Sequence, residues 1–275
     1  MGLRIATNVP SLTTQRNLTA TSEEASKSFA RLSSGQRITK SGDDAAGLSI
    51  SQNLEASVRG MKMAQRNAND GISFVQTAEG GINEVSNILV RLRELSVQAA
   101  SDTVGNTERG FLNKEMQSLK SEVDRIANVT NFNGQNLLNG EGDALSFQVG
   151  TNASELNRIE YDPSKTNVTS DAIGISGLDI SEKGGALDSM GAIDEAIKRV
   201  NENRSELGAT QNRLHSSSNS LGISIENLAD AKSRIADTDI AAETSNMVKN
   251  QILQNAGIAV LAQANAEPNH ALKLL

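Results

Sequence analysis

Asp43 and Asp44 are the side chains in this 275-residue sequence whose spacing most suggests chemistry. Neighbouring carboxylates can share a divalent cation. A cation would need further ligands, and neither His215 nor His270 lies near the pair in sequence. The pair instead sits just before an apolar-periodic stretch, where a carboxylate caps a helix by accepting from its first free N–H groups. His215 is flanked by Leu214 and Ser216 in a helical stretch, and His270 stands near the C-terminal end. Neither has a nucleophile or acid partner at catalytic spacing. Gly134, Gly140 and Gly142 lack the preceding strand, the following helix and the lysine of a phosphate loop, and read as turns. With no cysteine, disulfides and thiolate metal sites are removed. These residues point away from an enzyme, and no cofactor or metal is expected.

The elements that would have to position such groups are long helices. Leu54, Met61, Ala68, Val75, Ile82 and Leu89 recur every seventh residue. So do Ile193, Val200, Leu207, Leu214, Leu221, Leu228 and Ile235. A seven-residue apolar repeat marks the seam of a helix against other helices. At ~1.5 Å per residue, each uninterrupted helix would extend on the order of 50–70 Å, more than a compact domain needs. The neighbouring columns are poorer. Gln65, Glu79 and Ser86 interrupt one, and Arg204, Gln211, Ser218 and Lys232 interrupt the other. A two-stranded coiled coil prefers both columns apolar, so these helices are expected to face several different neighbours.

The chain divides accordingly. Residues 4–32 read as a modest amphipathic helix through Ile5, Val9, Leu12, Leu18, Ala25, Phe29 and Leu32, followed by a glycine-containing link at 33–43. A second helix spans 45–100, and a third carries Leu112, Met116, Leu119, Val123 and Ile126. Residues 131–143 are turn-rich, and 144–180 alternate like strands, with Leu145–Val149 and Ile159–Tyr161 expected to pair as a hairpin. A fourth helix is expected from about Leu187 to Ala236. A last one, over about 238–264, carries Ile240, Met247, Ile252, Leu253 and Leu261 and is limited by Pro268. The fold class is mainly α: a long antiparallel helical rod or bundle with a short β-hairpin region at its distal tip. Both termini are expected to return to the same end.

Composition agrees with helices packed on helices. There is no Trp, one Tyr and five Phe, and the three prolines avoid both long periodic stretches. The net charge is −7, nearly all of it held by residues 141–188, an acidic, turn-rich segment that wants solvent. Basic and acidic residues alternate along the helices, which argues against a nucleic-acid stripe. The first residues lack the apolar core of a cleaved secretory signal, and no apolar run is long enough for membrane insertion.

Particular stretches carry a resemblance. Leu-Ser-Ser-Gly-Gln-Arg-Ile (32–38), Asp-Asp-Ala-Ala-Gly (43–47), Arg-Asn-Ala-Asn-Asp-Gly-Ile-Ser (66–73), Gln-Thr-Ala-Glu-Gly (76–80) and Arg-Leu-Arg-Glu-Leu-Ser-Val-Gln (91–98) occur in order. Ser-Arg-Ile-Ala-Asp-Thr-Asp (233–239), Gln-Ile-Leu-Gln-Asn-Ala-Gly (251–257) and Val-Leu-Ala-Gln-Ala-Asn (260–265) follow at the other end. The sequence resembles bacterial flagellin, the subunit of the flagellar filament, in a short form without large outer domains. The resemblance implies an N-terminal region at 1–140 (terminal helix 1–32, linker 33–43, rod helices 44–128), a variable tip at 141–188 and a C-terminal region at 189–275. Within the last, it implies a rod helix at 189–236 and a terminal helix at 238–275.

The resemblance further implies a structural subunit that polymerises into the helical filament used for swimming. Subunit packing is expected at Leu54, Met61, Val75, Ile82, Leu89, Val200, Leu207, Leu214, Leu221, Leu228 and Ile235. The filament core is expected to take Ile5, Val9, Leu12, Phe29, Leu32, Ile252, Leu253 and Leu261. Implied partners are other copies of the chain, an export chaperone bound through the C-terminal helix, and the filament cap and hook-junction proteins. Export would run through the flagellar type III apparatus to an extracellular flagellum, without signal cleavage. Arg91, Leu95 and Glu115 match the surface that an animal Toll-like receptor recognises in many flagellins. Two other readings compete with this one. A hook–filament junction protein would diverge within 44–100, and a signalling coiled coil would lack the β segment and keep both columns apolar.

Overall fold

The computed structural model describes residues 7–272, with side chains as far as Glu267. Six α-helices and four short strands follow in chain order: α1 (Val9–Ser34), α2 (Ala45–Ala100), α3 (Asn106–Val129), β1 (Asn131–Phe132), β2 (Gln135–Asn136), β3 (Leu145–Gln148), β4 (Arg158–Tyr161), α4 (Ser170–Ile173), α5 (Lys183–Ala236) and α6 (Ile240–Leu272). The chain forms two compact units. The terminal unit comprises Met1–Ala56 and Asn227–Leu275, and the central unit Ser57–Glu226.

Local chemistry sets most boundaries. The Asn8 side chain caps α1 by accepting from Ser11 N–H at 3.1 Å, with Pro10 in the first turn, where no N–H is needed. Gly35, at φ +69°, closes α1 in the left-handed conformation. The two adjacent carboxylates divide their work. Asp44 accepts from Gly47 N–H at 2.8 Å as the cap of α2. Asp43 turns back on the link, accepting from the Thr39 N–H, the Thr39 hydroxyl and the Lys40 N–H. At the other end of α2, the Arg109 guanidinium donates to the Ala99 carbonyl, which no helical N–H reaches, and to the Ser101 carbonyl just beyond the helix.

Four boundaries differ from expectation. Helix α1 begins at Val9, behind its Asn8 cap, rather than at residue 4. Helix α5 begins at Lys183 rather than near Leu187, with Gly185 so close to the Asp179 carbonyl that a side chain there would clash. Residues 163–180 are not strands. They form a 3-10 turn (Pro163–Thr166), the short α4 and a loop, because Pro163 lacks an N–H and Gly174 turns left-handed at φ +83°. Their apolar residues, Val168, Ile173, Ile175 and Ile180, anchor the segment to the core instead of lining a sheet. Finally, α6 runs past Pro268 to Leu272. A proline near a helix end removes one hydrogen bond without ending the helix, and the carbonyl it leaves, Ala264 O, accepts from Asn8 Nδ2 at 2.7 Å.

The expected hairpin is present. β3 and β4 pair antiparallel with Phe147 opposite Ile159 and Leu145 opposite Tyr161. A second, smaller hairpin joins β1 to β2 through Asn133 (φ +52°) and Gly134 (φ +82°), the left-handed pair that a tight two-residue turn demands.

The central unit closes around Phe74. Its ring meets Phe132, Phe147 and Tyr161 edge-on, with centroids 5.7, 5.5 and 4.9 Å away. Gly71 lets this cluster approach α2: a Cβ there would stand 3.1 Å from Phe147 and 3.2 Å from Leu214. Tyr161 reaches through the core to donate to the Leu137 carbonyl at 2.6 Å. Burial pushes its phenol up to about 12.

In the terminal unit α1 and α6 lie antiparallel. Asn8 meets Ala264 at one end, and Arg31 faces Glu243 at 3.8 Å at the other. Small residues permit the contact: Ala25 and Ala264 are buried, and a Cβ on Gly257 would come within 3.2 Å of Leu18. The two chain breaks form a single joint. Gln36 and Asp237 make an antiparallel bridge, Arg37 N–H donates to Ala236 O at 2.7 Å, and Thr238 N–H donates to Gly35 O at 2.9 Å. The Arg37 guanidinium adds two bonds to the Ile235 carbonyl, at 2.7 and 3.2 Å.

Candidate assembly surfaces

A helix apolar on one stripe is satisfied by one neighbour; a helix apolar on several sides needs more. α6 is of the second kind. Ile240, Val248, Ile252, Leu253, Ile258 and Val260 are all exposed, and Leu261 is half-buried. On α1 the same holds for Val9, Leu12 and Phe29, while Leu32 is half-buried. Phe29 is 55% exposed and Ile252 62%, although both are residues that ordinarily fill cores. One partner helix covers one side of each, and more large apolar residues stay exposed than a pair of helices satisfied by each other would leave. Ile5, expected in the same set, lies outside the described residues.

The heptad columns divide by burial. In the central unit Val75, Ile82, Leu89, Val200, Leu207 and Leu214 have 0–1% exposure. They pack the chain's own core, so the expectation that they meet other subunits is corrected: α3 and the β-hairpins supply the missing neighbours. Leu54, Met61, Leu221, Leu228 and Ile235 are only half-buried and keep surface to offer. Three of the polar residues that interrupt the neighbouring columns are used within the chain. Gln65 donates to the Ser218 carbonyl at 3.2 Å, the Ser218 hydroxyl to Asn69 at 3.2 Å, and Lys232 pairs with Glu55 at 3.0 Å.

Arg91 and Glu115 come together as a surface pair. The Arg91 guanidinium donates to Glu115 Oε1 at 2.8 and 3.0 Å and to Glu94 at 3.0 Å. Its charge is reinforced by the Glu115 carboxylate, which raises its already high pKa. Leu95, grouped with them by sequence, is fully buried in the central core, so it supports this surface from beneath instead of forming it. Nearby, Arg93 pairs with Asp194 at 2.7 Å, and the guanidinium holds that carboxyl below its usual range.

The joint between the two breaks, and the Phe74 cluster, were not foreseen as units. Arg37 and Ile235 are far apart in sequence, and no local pattern links them. Asp43 behaves as a structural carboxylate: three donors, led by the Thr39 hydroxyl, hold its pKa down. Among the described residues no His, Cys, Asp or Glu cluster is arranged to hold a metal, and no helix is long and apolar enough to cross a membrane.

This combination has counterparts among known proteins. Residues 5–143 match the family described as bacterial flagellin N-terminal helical region, and residues 190–275 match the bacterial flagellin C-terminal helical region. A flagellin of Halalkalibacterium halodurans is 43% identical over 268 residues, covering 98% of each chain. That of Bacillus subtilis is 38% identical over 307 aligned residues, covering 99% of this chain and all of the relative. The crystal structure of Bacillus cereus flagellin superposes with a TM-score of 0.51 at 28% identity, over 57% of this chain and 88% of that one. A putative flagellar hook-associated protein from Vibrio parahaemolyticus reaches a TM-score of 0.59 over 71% of this chain, but at 16% identity it shows the shared fold alone. Matched at both terminal regions and along nearly its whole length, the chain belongs to the bacterial flagellin family.

Proposed function

We propose that this flagellin builds its filament chiefly through the terminal unit, while the central unit serves as a pre-folded body. As a family member the chain is a structural subunit of the helical flagellar filament, self-assembling and serving motility. The observation that carries the division of labour is the exposed apolar surface of α1 and α6, beside a central core closed within one chain. A surface completed by the next copy, itself exposing the same unfinished surface, propagates a helix of subunits instead of closing a ring.

Seeding purified full-length protein with filament fragments tests this directly. Growth is expected, and electron microscopy showing normal filaments from a chain lacking residues 240–275 would overturn the terminal-unit reading.

Finer partners follow from the same surfaces. A dedicated export chaperone would cover the exposed face of α6 before secretion through the flagellar type III apparatus, and the finished filament would stand outside the cell between hook-junction and cap proteins. Pull-down of a chaperone by the intact chain, lost on Ile252→Asp, checks the first point. For an animal Toll-like receptor, the exposed Arg91–Glu115 pair is the contact, with Leu95 holding it in place. Arg91→Ala is expected to reduce receptor binding at unchanged thermal stability.

A further inference from the structure

Pro268 cannot donate a backbone N–H to the carbonyl four residues earlier, Ala264. In a helix that is otherwise continuous from Ile240 to Leu272, this leaves one acceptor to be filled from outside. The donor that reaches it is the side-chain Nδ2 of Asn8, at 2.7 Å. The other end of the same amide, Oδ1, accepts from Ser11 N–H at 3.1 Å and caps α1. The orientation of the amide is thereby fixed, because turning it over would set donor against donor and acceptor against acceptor. Beside it, the Ser11 hydroxyl donates to Asn265 Oδ1 at 2.7 Å.

We propose that the Asn8 amide stands in for the N–H missing at Pro268, and so satisfies the Ala264 carbonyl while tying the first turn of α1 to the end of α6. The far ends of this pair are already tied by the joint and by Arg31 facing Glu243. Between the ends the contacts are largely apolar and small, and near Asn8 the other directional contact is the bond from Ser11 to Asn265. The bond to the orphaned carbonyl therefore anchors the start of α1 where little else is directional. Only an amide serves both ends: a carboxylate would cap α1 equally well but present an oxygen to the Ala264 oxygen.

The test is a double-mutant cycle in the full-length chain, read as the critical concentration for seeded filament growth. Asn8→Asp keeps the cap but puts an acceptor where the donor was; it is expected to raise the critical concentration about tenfold. Asn8→Ser, which also caps but is too short to bridge, should behave alike. Pro268→Ala restores a backbone N–H to Ala264 O, and combined with Asn8→Asp it should bring the value back to within about threefold of the Pro268→Ala chain alone. The proposal is overturned if the Asn8 variants carry the same penalty whether or not Pro268 is replaced, or carry none. The contact lies within one chain, so it stands apart from the assembly reading. A native chain that grew no filaments would count against that reading only, and the same cycle would then be read in the thermal loss of helix signal.

Discussion

The two units of this chain use the same helical grammar to opposite ends. In the central unit, α2 and α5 meet α3 and two hairpins, and the column residues Val75, Ile82, Leu89, Val200, Leu207 and Leu214 vanish from the surface. In the terminal unit, α1 and α6 have chiefly each other, and Phe29, Ile252 and Val260 stay in solvent. The contrast teaches that apolar periodicity states a demand for neighbours but not who meets it. Where the chain brings its own third and fourth elements, the demand becomes a core. Elsewhere it becomes a surface for another copy.

The comparison is broken most severely by truncation. Removing residues 1–30 or 240–275 is expected to abolish filament growth, while a 45–235 fragment keeps a cooperative melt; loss of that melt would show that the central unit depends on the terminal one. Next in size, Phe74→Ala removes the ring on which three others converge. It should cost the central unit about 3–5 kcal/mol and lower its melting temperature by roughly 10 °C, measured by calorimetry. Phe29→Ala, on an exposed position, should leave that melt untouched and weaken only assembly.

The units should also part in their response to pH. Tyr161 keeps its proton more tightly folded than unfolded, at about 12 against an ordinary 10.0. Its contribution is therefore complete below pH 10 and lost as pH rises toward 12, an upper figure of about 2–3 kcal/mol. Urea unfolding of the central unit across that range checks it, and Tyr161→Phe should flatten the dependence. Asp43 has the reverse sign. Its depressed pKa means the 39–43 turn is held above the usual carboxylate range and released as pH falls below it. Protection factors for hydrogen exchange at Thr39 and Lys40, taken against the intrinsic rate at each pH, should fall on acidification, and Asp43→Asn should lower them already at neutral pH.

The smallest effect concerns the joint. The Thr238 hydroxyl is buried without a partner, so Thr238→Val should be neutral or stabilising by up to about 1 kcal/mol in chemical denaturation of the terminal unit. Arg37→Ala, which strips two bonds from the Ile235 carbonyl, should destabilise it by more. Equal effects from the two would mean that the joint is not held by its hydrogen bonds.

Local chemistry was legible from the residues alone. The bounds of α2, a cap from the Asp43–Asp44 pair, the glycine-containing break after α1 and the β3–β4 pairing follow from short-range rules that tertiary context did not override. The alternation in 163–180 misled because alternating burial arises as readily from a loop pinned at every second residue as from a strand. Pro268 misled because a missing N–H ends a helix only when nothing else fills the carbonyl, and here a residue from the opposite terminus fills it.

By itself, then, the sequence determined the helices, their caps and seams, and the family to which the chain belongs. Which seams are core, which are surface, and where Leu95 and Arg37 lie was decided only by the tertiary structure. The physical reason is that propensity, capping and periodicity act over a few residues along one helix. Burial instead depends on whether some distant segment arrives to cover a face, and a single-helix pattern carries no record of that.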